Sequence, residues 1–337
     1  MRLILAGGTG FIGSHVAVEL CKAGHAVSLV DDLSNSRRSV VDRLETVTGQ
    51  RLPLDVLDLR QTEQLREVFA RRTPEAVIQL AGLKAVGESV VAPLRYYDTN
   101  LNASLSLLSV MEEFAVRRLI FSSSATVYGQ PKALPLSEDG RTGVGIANPY
   151  GWTKFMIEQI LRDLARSDPS WQVSLLRYFN PVGAHPSGLL GEDPQGMPNN
   201  LMPVVAQVAL GQRRVVNVFG DDYETSDGTG VRDYIHVVDL ARGHLAALDH
   251  LTPGVTTYNL GTGQGTSVLE LIKAFEQASG QPVPYQIVSR RPGDLAAIYC
   301  SPTKAESELG WKADLSILDA CRDSWRWQSA NPQGYPG

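Results

Sequence analysis

The chain has 337 residues, 43% of them hydrophobic and 20% charged, and its 31 basic and 36 acidic side chains leave a formal net charge of −5. That length suggests about two domains and an ample core, while the composition excludes a disordered chain, a fibre or a disulfide scaffold. A mildly acidic balance with no basic run argues against a general nucleic-acid binder, yet a local pocket can still be positive enough for an anionic small ligand.

The first sixty residues alternate strand and helix. Arg2–Ala6 is a short apolar run that suits a buried parallel strand. Glycines follow at 7, 8, 10 and 13, then Val16, Leu20 and Cys21 recur at helical spacing, and Gly24 is a good stop. Ala26–Val30 predicts the second strand, ending at Asp31 and Asp32, and Leu52–Leu57 a third, ending at Asp58. Ala76–Leu80 predicts a fourth, Asn100–Ala115 a helix, Leu119–Phe121 a fifth strand running into Ser122–Ser124, and Val173–Phe179 a sixth after a helix that starts near Pro149. This alternation predicts an α/β doubly wound parallel sheet. Residues 181–203 hold five prolines and four glycines and read as loop. Val237–His250 reads as a helix and Thr256–Leu260 as a strand returning to the sheet. The expected division is a dinucleotide domain over 1–180 with 237–262, and a smaller mixed α/β substrate domain from 181–236 and 263–337.

Cys21, Cys300 and Cys321 are odd in number and far apart, as expected of free thiols in a reducing compartment. The six histidines show no metal-binding grouping, so no metal is expected. The run after Met1 and Arg2 is too short for a signal-peptide core, and no apolar stretch approaches the ~18 residues of a membrane span. A soluble cytoplasmic protein without nucleic-acid or membrane partners is expected.

Gly7, Gly10 and Gly13 lie between the first strand and its helix, where glycines let the backbone approach a pyrophosphate seated on the helix N-terminus. The spacing is G-x-x-G-x-x-G. Asp31 ends the second strand, where a carboxylate can hold an adenosine ribose and repel a 2′-phosphate, so NAD is expected over NADP. Arg37 and Arg38 are the competing feature, able to meet a phosphate but read as solvated loop charges.

Tyr150 and Lys154 sit at i and i+4 on one helix face, behind the helix-starting pair Asn148-Pro149. Alone that spacing is weak, because a core tyrosine with a solvent-reaching lysine looks the same. Position strengthens it: Ser122–Ser124 end the preceding strand, and ligands bind beyond the carboxyl ends of strands in such a sheet. Phenol ionises near pH 10. A nearby Lys⁺ and a positive nicotinamide ring are expected to lower that value, so that the phenolate takes a hydroxyl proton as hydride leaves the same carbon.

Together the glycine loop, Asp31, the serine-ended strand and Tyr150-x-x-x-Lys154 resemble the extended short-chain dehydrogenase/reductase family, and within it the nucleotide-sugar 4-epimerases. Long stretches carry the resemblance: Ala81–Ser89, Phe121–Gly129, Leu176–Gly188, Asn199–Pro203, Asp227–His236 and Pro332–Pro336. It covers essentially the whole chain. It implies Tyr150 as the base, with Ser124 and Lys154 beside it. It implies NAD contacts from Phe11, Ile12, Asp31, Asp32, Leu33, Asn35, Ser36, Asp58, Leu59, Leu80, Ala81, Gly82, Lys84, Thr99, Ser122 and Phe179. It implies that a UDP-sugar meets Lys84, Asn180, Asn200, Leu201, Asn217, Val218, Phe219, Arg232, Tyr234, Arg291, Asp294 and Ile298. Arginines suit a diphosphate. Without the resemblance, Arg232 and Arg291 read as surface ion pairs with Asp233 and Asp294.

The implied reaction interconverts UDP-galactose and UDP-glucose. C4 is oxidised, the 4-keto sugar turns over while its UDP stays anchored, and C4 is reduced on the other face, with a tightly held NAD regenerated each turn. Ala6, Gln79 and Thr99 depart from the family's common Thr, His and Asn. Ile298 stands at a pocket position where a Tyr restricts members to plain hexoses and small residues admit N-acetylhexosamines, so a 4-epimerase of UDP-N-acetylhexosamines or UDP-pentoses is the alternative. A 4,6-dehydratase needs Asp-Glu after the strand-end serine, where this chain has Ala125-Thr126. A non-catalytic NAD-binding sensor has no need of the Tyr-Lys pair. The resemblance also implies a homodimer through Asn100–Ala115 and Pro149–Ala165.

Overall fold

The computed structural model describes residues 1–337 except Met197, Asn199, Pro292 and Gly337; Asn199, which opens one of the stretches quoted above, therefore lies outside the described residues. The N-terminal half runs β1 (Arg2–Ala6), α1 (Phe11–Lys22), β2 (Ala26–Asp31), α2 (Ser39–Thr48), β3 (Leu54–Val56), α3 (Thr62–Arg72), β4 (Ala76–Gln79), α4 (Val86–Val91), α5 (Pro93–Glu113), β5 (Arg118–Ser124), a 3-10 turn (Ala125–Tyr128), α6 (Pro149–Ser167) and β6 (Gln172–Tyr178). The rest runs β7 (Asn180–Val182), α7 (Leu201–Ala209), β8 (Val216–Phe219), β9 (Val231–Arg232), β10 (Tyr234–His236), α8 (Val237–Asp249), β11 (Gly254–Leu260), β12 (Thr266–Ser267), α9 (Val268–Ser279), β13 (Tyr285–Val288), β14 (Ala297–Ile298), α10 (Thr303–Leu309) and α11 (Ile317–Ala330).

Seven parallel strands form the main sheet in the order β11-β6-β5-β4-β1-β2-β3. The order reverses between β1 and β4, which is the switch point of a doubly wound sheet. Apolar strands follow from burial on both faces: Leu3 and Leu5 face the α1/α8 layer, Ile4 and Ala6 the α3/α5/α6 layer. The expected fold class is the observed one, and 254–260 does return to the sheet, as an edge strand beside β6.

Most boundaries agree with the sequence reading within one or two residues, and three departures have a clear physical reason. β3 is shorter than Leu52–Leu57, because Pro53 has no N–H to donate, although its carbonyl still accepts from Leu29 at 2.8 Å. α5 begins at Pro93, two turns before Asn100, and exposes Leu94 there, which hides the helical period. The 181–203 stretch is mostly irregular, but β7 occupies its start, pairing with β10, and α7 takes Leu201–Pro203 as its first turn, where proline is tolerated.

A third apolar cluster joins Met202, Val205, Val218, Leu271, Phe275 and Cys321, away from the main sheet. Trp311, Trp327 and Tyr335 instead pack with the α1/α8 layer.

Candidate active site

Gly7 has φ +82°, and a Cβ on it would stand 2.6 Å from the Ala81 amide nitrogen. The loop after β1 and the loop after β4 therefore touch across the switch point. A Cβ on Gly13 would strike the Gly7 carbonyl. Gly10 caps α1 without a side-chain hydrogen bond, which leaves the first-turn amides of Phe11 and Ile12 to an anion. The Asp31 carboxylate is held by the Thr9 amide (3.0 Å), the Leu33 amide (3.0 Å) and the Ser36 hydroxyl (3.0 Å), with Leu33 at φ +59°. Asp32 caps Ser34, and Asn35 is exposed beside it. Arg37 lies 3.5 Å from Asp193, so its charge is already matched. A tight glycine cradle, bare helix amides and a fixed carboxylate fit a dinucleotide with a free ribose 2′-hydroxyl.

The other flanks differ in what they offer. Asp58 is gripped by Arg60 from the backbone amide (2.9 Å) and the guanidinium (2.6 Å), which holds the carboxyl below its usual range. Leu59 is buried in the α3/α5/α6 layer, so only its backbone faces outward. Leu80 and Ala81 hang on the Ala6 carbonyl at 2.8 and 3.0 Å, continuing β4 towards Gly82. Thr99 is half-buried on α5, and Phe179 is buried where β6 gives way to β7.

Ser124, Tyr150 and Lys154 come together at the end of β5. Asn148 caps α6 through its side chain, accepting from the Gly151 amide at 2.8 Å, and Pro149 takes the first helical position. The Tyr150 phenol is raised by burial, against which a hydrogen bond with the Ser124 hydroxyl works. Lys154 is buried, donates to the Ser122 carbonyl at 2.6 Å, and is lowered to about 8 by desolvation. Lys⁺ and the nicotinamide ring are together expected to lower the phenol; in the chain itself the lysine lies over the Phe121 ring (4.9 Å), further from the Tyr150 ring (6.0 Å), and burial is the largest influence on the phenol.

On the other side of the cleft, parallel register sets Asn180 beside Tyr234 and Ile298 beside Arg232. Arg232 donates to the Val231 and Leu295 carbonyls (2.8 and 2.9 Å) and lies 3.8 Å from Asp294. Arg291 pairs with Asp294 at 2.9 Å and stacks over Phe219 at 4.6 Å. The ion-pair reading thus holds for Asp294. It fails for Asp233, which turns inward to accept from the Thr262 and Gly263 amides. Tyr234 is pushed up to about 12 by burial, with Arg232 and Arg291 pulling the other way, so both cations face it. Asn217 and Phe219 are exposed on β8, whereas the Val218 side chain is buried and only its backbone is available. Asn200 and Lys84 both reach the Glu192 carboxylate, at 2.8 and 3.3 Å, and Leu201 begins α7 behind Asn200.

Sequence reasoning missed three buried groups. Asn100 on α5 accepts from the Leu83 amide (2.8 Å) and donates to Thr153 (3.0 Å), tying the loop after β4 to α6. Tyr178 donates to His244, and its phenol also faces Ser122. Glu158 follows Lys154 by one turn, and the i, i+4, i+8 spacing from Tyr150 was the signal available for it.

The profile of the NAD dependent epimerase/dehydratase family matches residues 3–261. The chain belongs to that family. A UDP-glucose 4-epimerase of Bacillus subtilis (strain 168) is 54% identical over 337 residues, covering 99% of each chain. Among solved structures, a UDP-glucose 4-epimerase from Bifidobacterium longum in complex with NAD+ and UDP superposes with a TM-score of 0.97 at 55% identity, covering 99% of this family member and all of that chain. One from Stenotrophomonas maltophila, with bound NAD and formylated UDP-arabinopyranose, gives 0.96 at 49%, covering 99% of each.

Proposed function

We propose that this chain interconverts UDP-galactose and UDP-glucose by NAD-dependent inversion at C4 of the hexose. The full-length likeness to epimerases, with a Tyr, Ser and Lys gathered at the carboxyl ends of β5 and its neighbours, carries the reading. NAD, when bound on the glycine cradle and Asp31, supplies hydride acceptance and return at C4.

The chain's own residues do the rest. Tyr150 takes the proton from the hexose O4 and gives it back. Ser124 hydrogen-bonds both the phenol and O4, favouring the ionised form. Lys154 adds a buried positive charge beside them. Arg232 and Arg291, aligned by Asp294, hold the diphosphate, and Asn180, Asn200, Leu201, Asn217 and Phe219 hold the nucleotide. Binding energy concentrated on UDP leaves the 4-keto hexose free to turn over, presenting its other face to the same base. Ala125-Thr126 after Ser124 supplies no carboxyl group to expel the C6 hydroxyl, which disfavours a dehydratase.

Residues 1–180 with 237–262 serve the cofactor, and 181–236 with 263–337 the UDP-sugar. A homodimer through α5 and α6 is supported by apolar side chains left in water there and on the adjoining α4: Val91 is 86% and Leu94 82% exposed, and Leu105 on α5 and Met156 on α6 are also exposed. Monomer mass in light scattering at micromolar concentration would sink that assembly. Three buried free thiols suit the cytoplasm, and among the described residues no helix is long and apolar enough to cross a membrane.

The test is proton NMR of UDP-galactose incubated with purified protein and no added nucleotide. Appearance of UDP-glucose establishes the activity and a co-purifying cofactor. No conversion, even after NAD is added, overturns the reading.

A further inference from the structure

Three consecutive serines end β5, and three successive turns of one helix meet them. Tyr150 faces Ser124, whose influence opposes the rise that burial gives the phenol, while the Ser124 hydroxyl itself accepts from the Thr126 amide at 3.2 Å and the Thr126 hydroxyl at 3.0 Å. Lys154 donates to the Ser122 carbonyl at 2.6 Å. Glu158, the next residue in the i, i+4, i+8 row, accepts from the Ser123 hydroxyl at 2.6 Å. Helix and strand therefore meet at three levels, two of them closed by hydrogen bonds: strand alternation turns the Ser123 side chain to the helix, and Ser122 offers its carbonyl.

The third level is the strongest. Glu158 is fully buried and receives a bidentate Arg177 fork, at 3.0 Å from Nε and 2.8 Å from Nη2. Arg177 lies beside Ser123 in the β5–β6 register. It also donates to the Tyr128 hydroxyl at 3.0 Å and the Glu138 carbonyl at 3.3 Å. Tyr128 ends the 3-10 turn that starts right after Ser124, and its hydroxyl donates to the Asn259 side-chain carbonyl on β11 at 2.7 Å. Arg162, one turn further along α6, stands 3.6 Å from Glu158 at the solvent edge. One carboxylate therefore fixes the catalytic helix, the strand of serines and the turn that follows them.

A buried ion pair contributes little net stability compared with apolar residues of similar size, and its best-attested use is to select one geometry among several. We propose that Glu158, through Ser123 and Arg177, is a positioning residue that sets the axial register of Tyr150 and Lys154 against Ser124 and Ser122. This rests on the assignment of Tyr150 as the base. Misplacing a reacting group by about 1 Å costs on the order of a hundredfold in rate, so small slips of the helix have large kinetic effects.

The experiment uses the holoenzyme with Glu158→Gln and, independently, Ser123→Ala, which leaves the ion pair whole should Glu158→Gln fail to fold. kcat, KM, the pH profile of kcat and UDP affinity by calorimetry are measured. Expected is a kcat lowered about tenfold or more in Glu158→Gln, and less in Ser123→Ala. KM and UDP affinity stay within about twofold, and the acid limb of kcat moves to higher pH as Ser124 loses its grip on the phenol. A folded variant with kcat and pH profile like the parent overturns the proposal, as does a kcat loss matched by an equal loss of UDP affinity. Full turnover in Tyr150→Phe would instead sink the site assignment itself.

Discussion

The Lys154 ammonium and the Ser122 carbonyl are joined at 2.6 Å, inside the molecule rather than across the cleft. That one acceptor and the Phe121 ring face at 4.9 Å are poor replacements for water, and the amine is accordingly lowered to about 8. A depressed lysine binds fewer protons folded than unfolded between pH ~8 and ~10.4. Its burial thus weakens the fold fully below pH 8, and the penalty fades as pH rises through that window. Lys154→Met is expected to melt at higher temperature than the parent at pH 7, with the gap closing by pH 10, while turnover collapses. Calorimetric melts of both proteins at the two pH values check this; a lower melting temperature for the variant at pH 7 refutes it.

Tyr150 is expected to carry the proton at O4. Its phenol is raised by burial, and the Ser124 hydrogen bond opposes the rise. Turnover therefore increases with pH as the phenol ionises. Tyr150→Phe should lose about a hundred- to ten-thousandfold in kcat with UDP affinity nearly unchanged. Ser124→Ala should shift the acid limb of the kcat profile to higher pH, because the opposing hydrogen bond is gone. An unmoved limb would mean that Ser124 holds only the sugar.

The cofactor cradle gives a prediction that does not need turnover. A Cβ at Gly13 collides with the Gly7 carbonyl and comes within 2.9 Å of the Gly8 Cα, so the first turn of α1 must move. Gly87 on α4 has open space around it and serves as the control. Acid-released NAD per chain, measured after purification, should drop in Gly13→Ala and stay at the parental level in Gly87→Ala. Equal occupancy in both would mean that the glycine loop is a turn without a pyrophosphate.

What could be read from the sequence was whatever is local. Arg2–Ala6 and its glycines, Asp31 at a strand end, and Tyr150 one turn before Lys154 announce themselves within a few residues. Asn100 gave no such signal, since its partners Leu83 and Thr153 are 17 and 53 positions away. The phenol shows the same limit: charge proximity is visible along a helix, whereas burial, the largest influence on it in the chain itself, depends on the whole fold. The short strands β7 to β10 and β12 to β14 were invisible because two to four residues carry no period, yet their register is what sets Tyr234 beside Asn180 and Ile298 beside Arg232.

Ile298 lies on β14, half-buried. Its backbone pairs with Arg232, and its side chain leans on the cluster of Val127, Tyr128, Leu136, Phe179 and Cys300. The cluster it packs against contains residues from the turn that follows Ser124 as well as Phe179. Side-chain volume there sets how much room remains for a substituent on the hexose. Ile298→Gly should raise kcat/KM for UDP-N-acetylglucosamine relative to UDP-galactose by about tenfold, and Ile298→Tyr should lower it. The ratio is taken from competing substrates in one NMR tube, so that any general loss of activity cancels. If neither variant moves the ratio, the wall that selects the sugar lies elsewhere, and the half-buried position of Ile298 reflects packing against its apolar cluster alone.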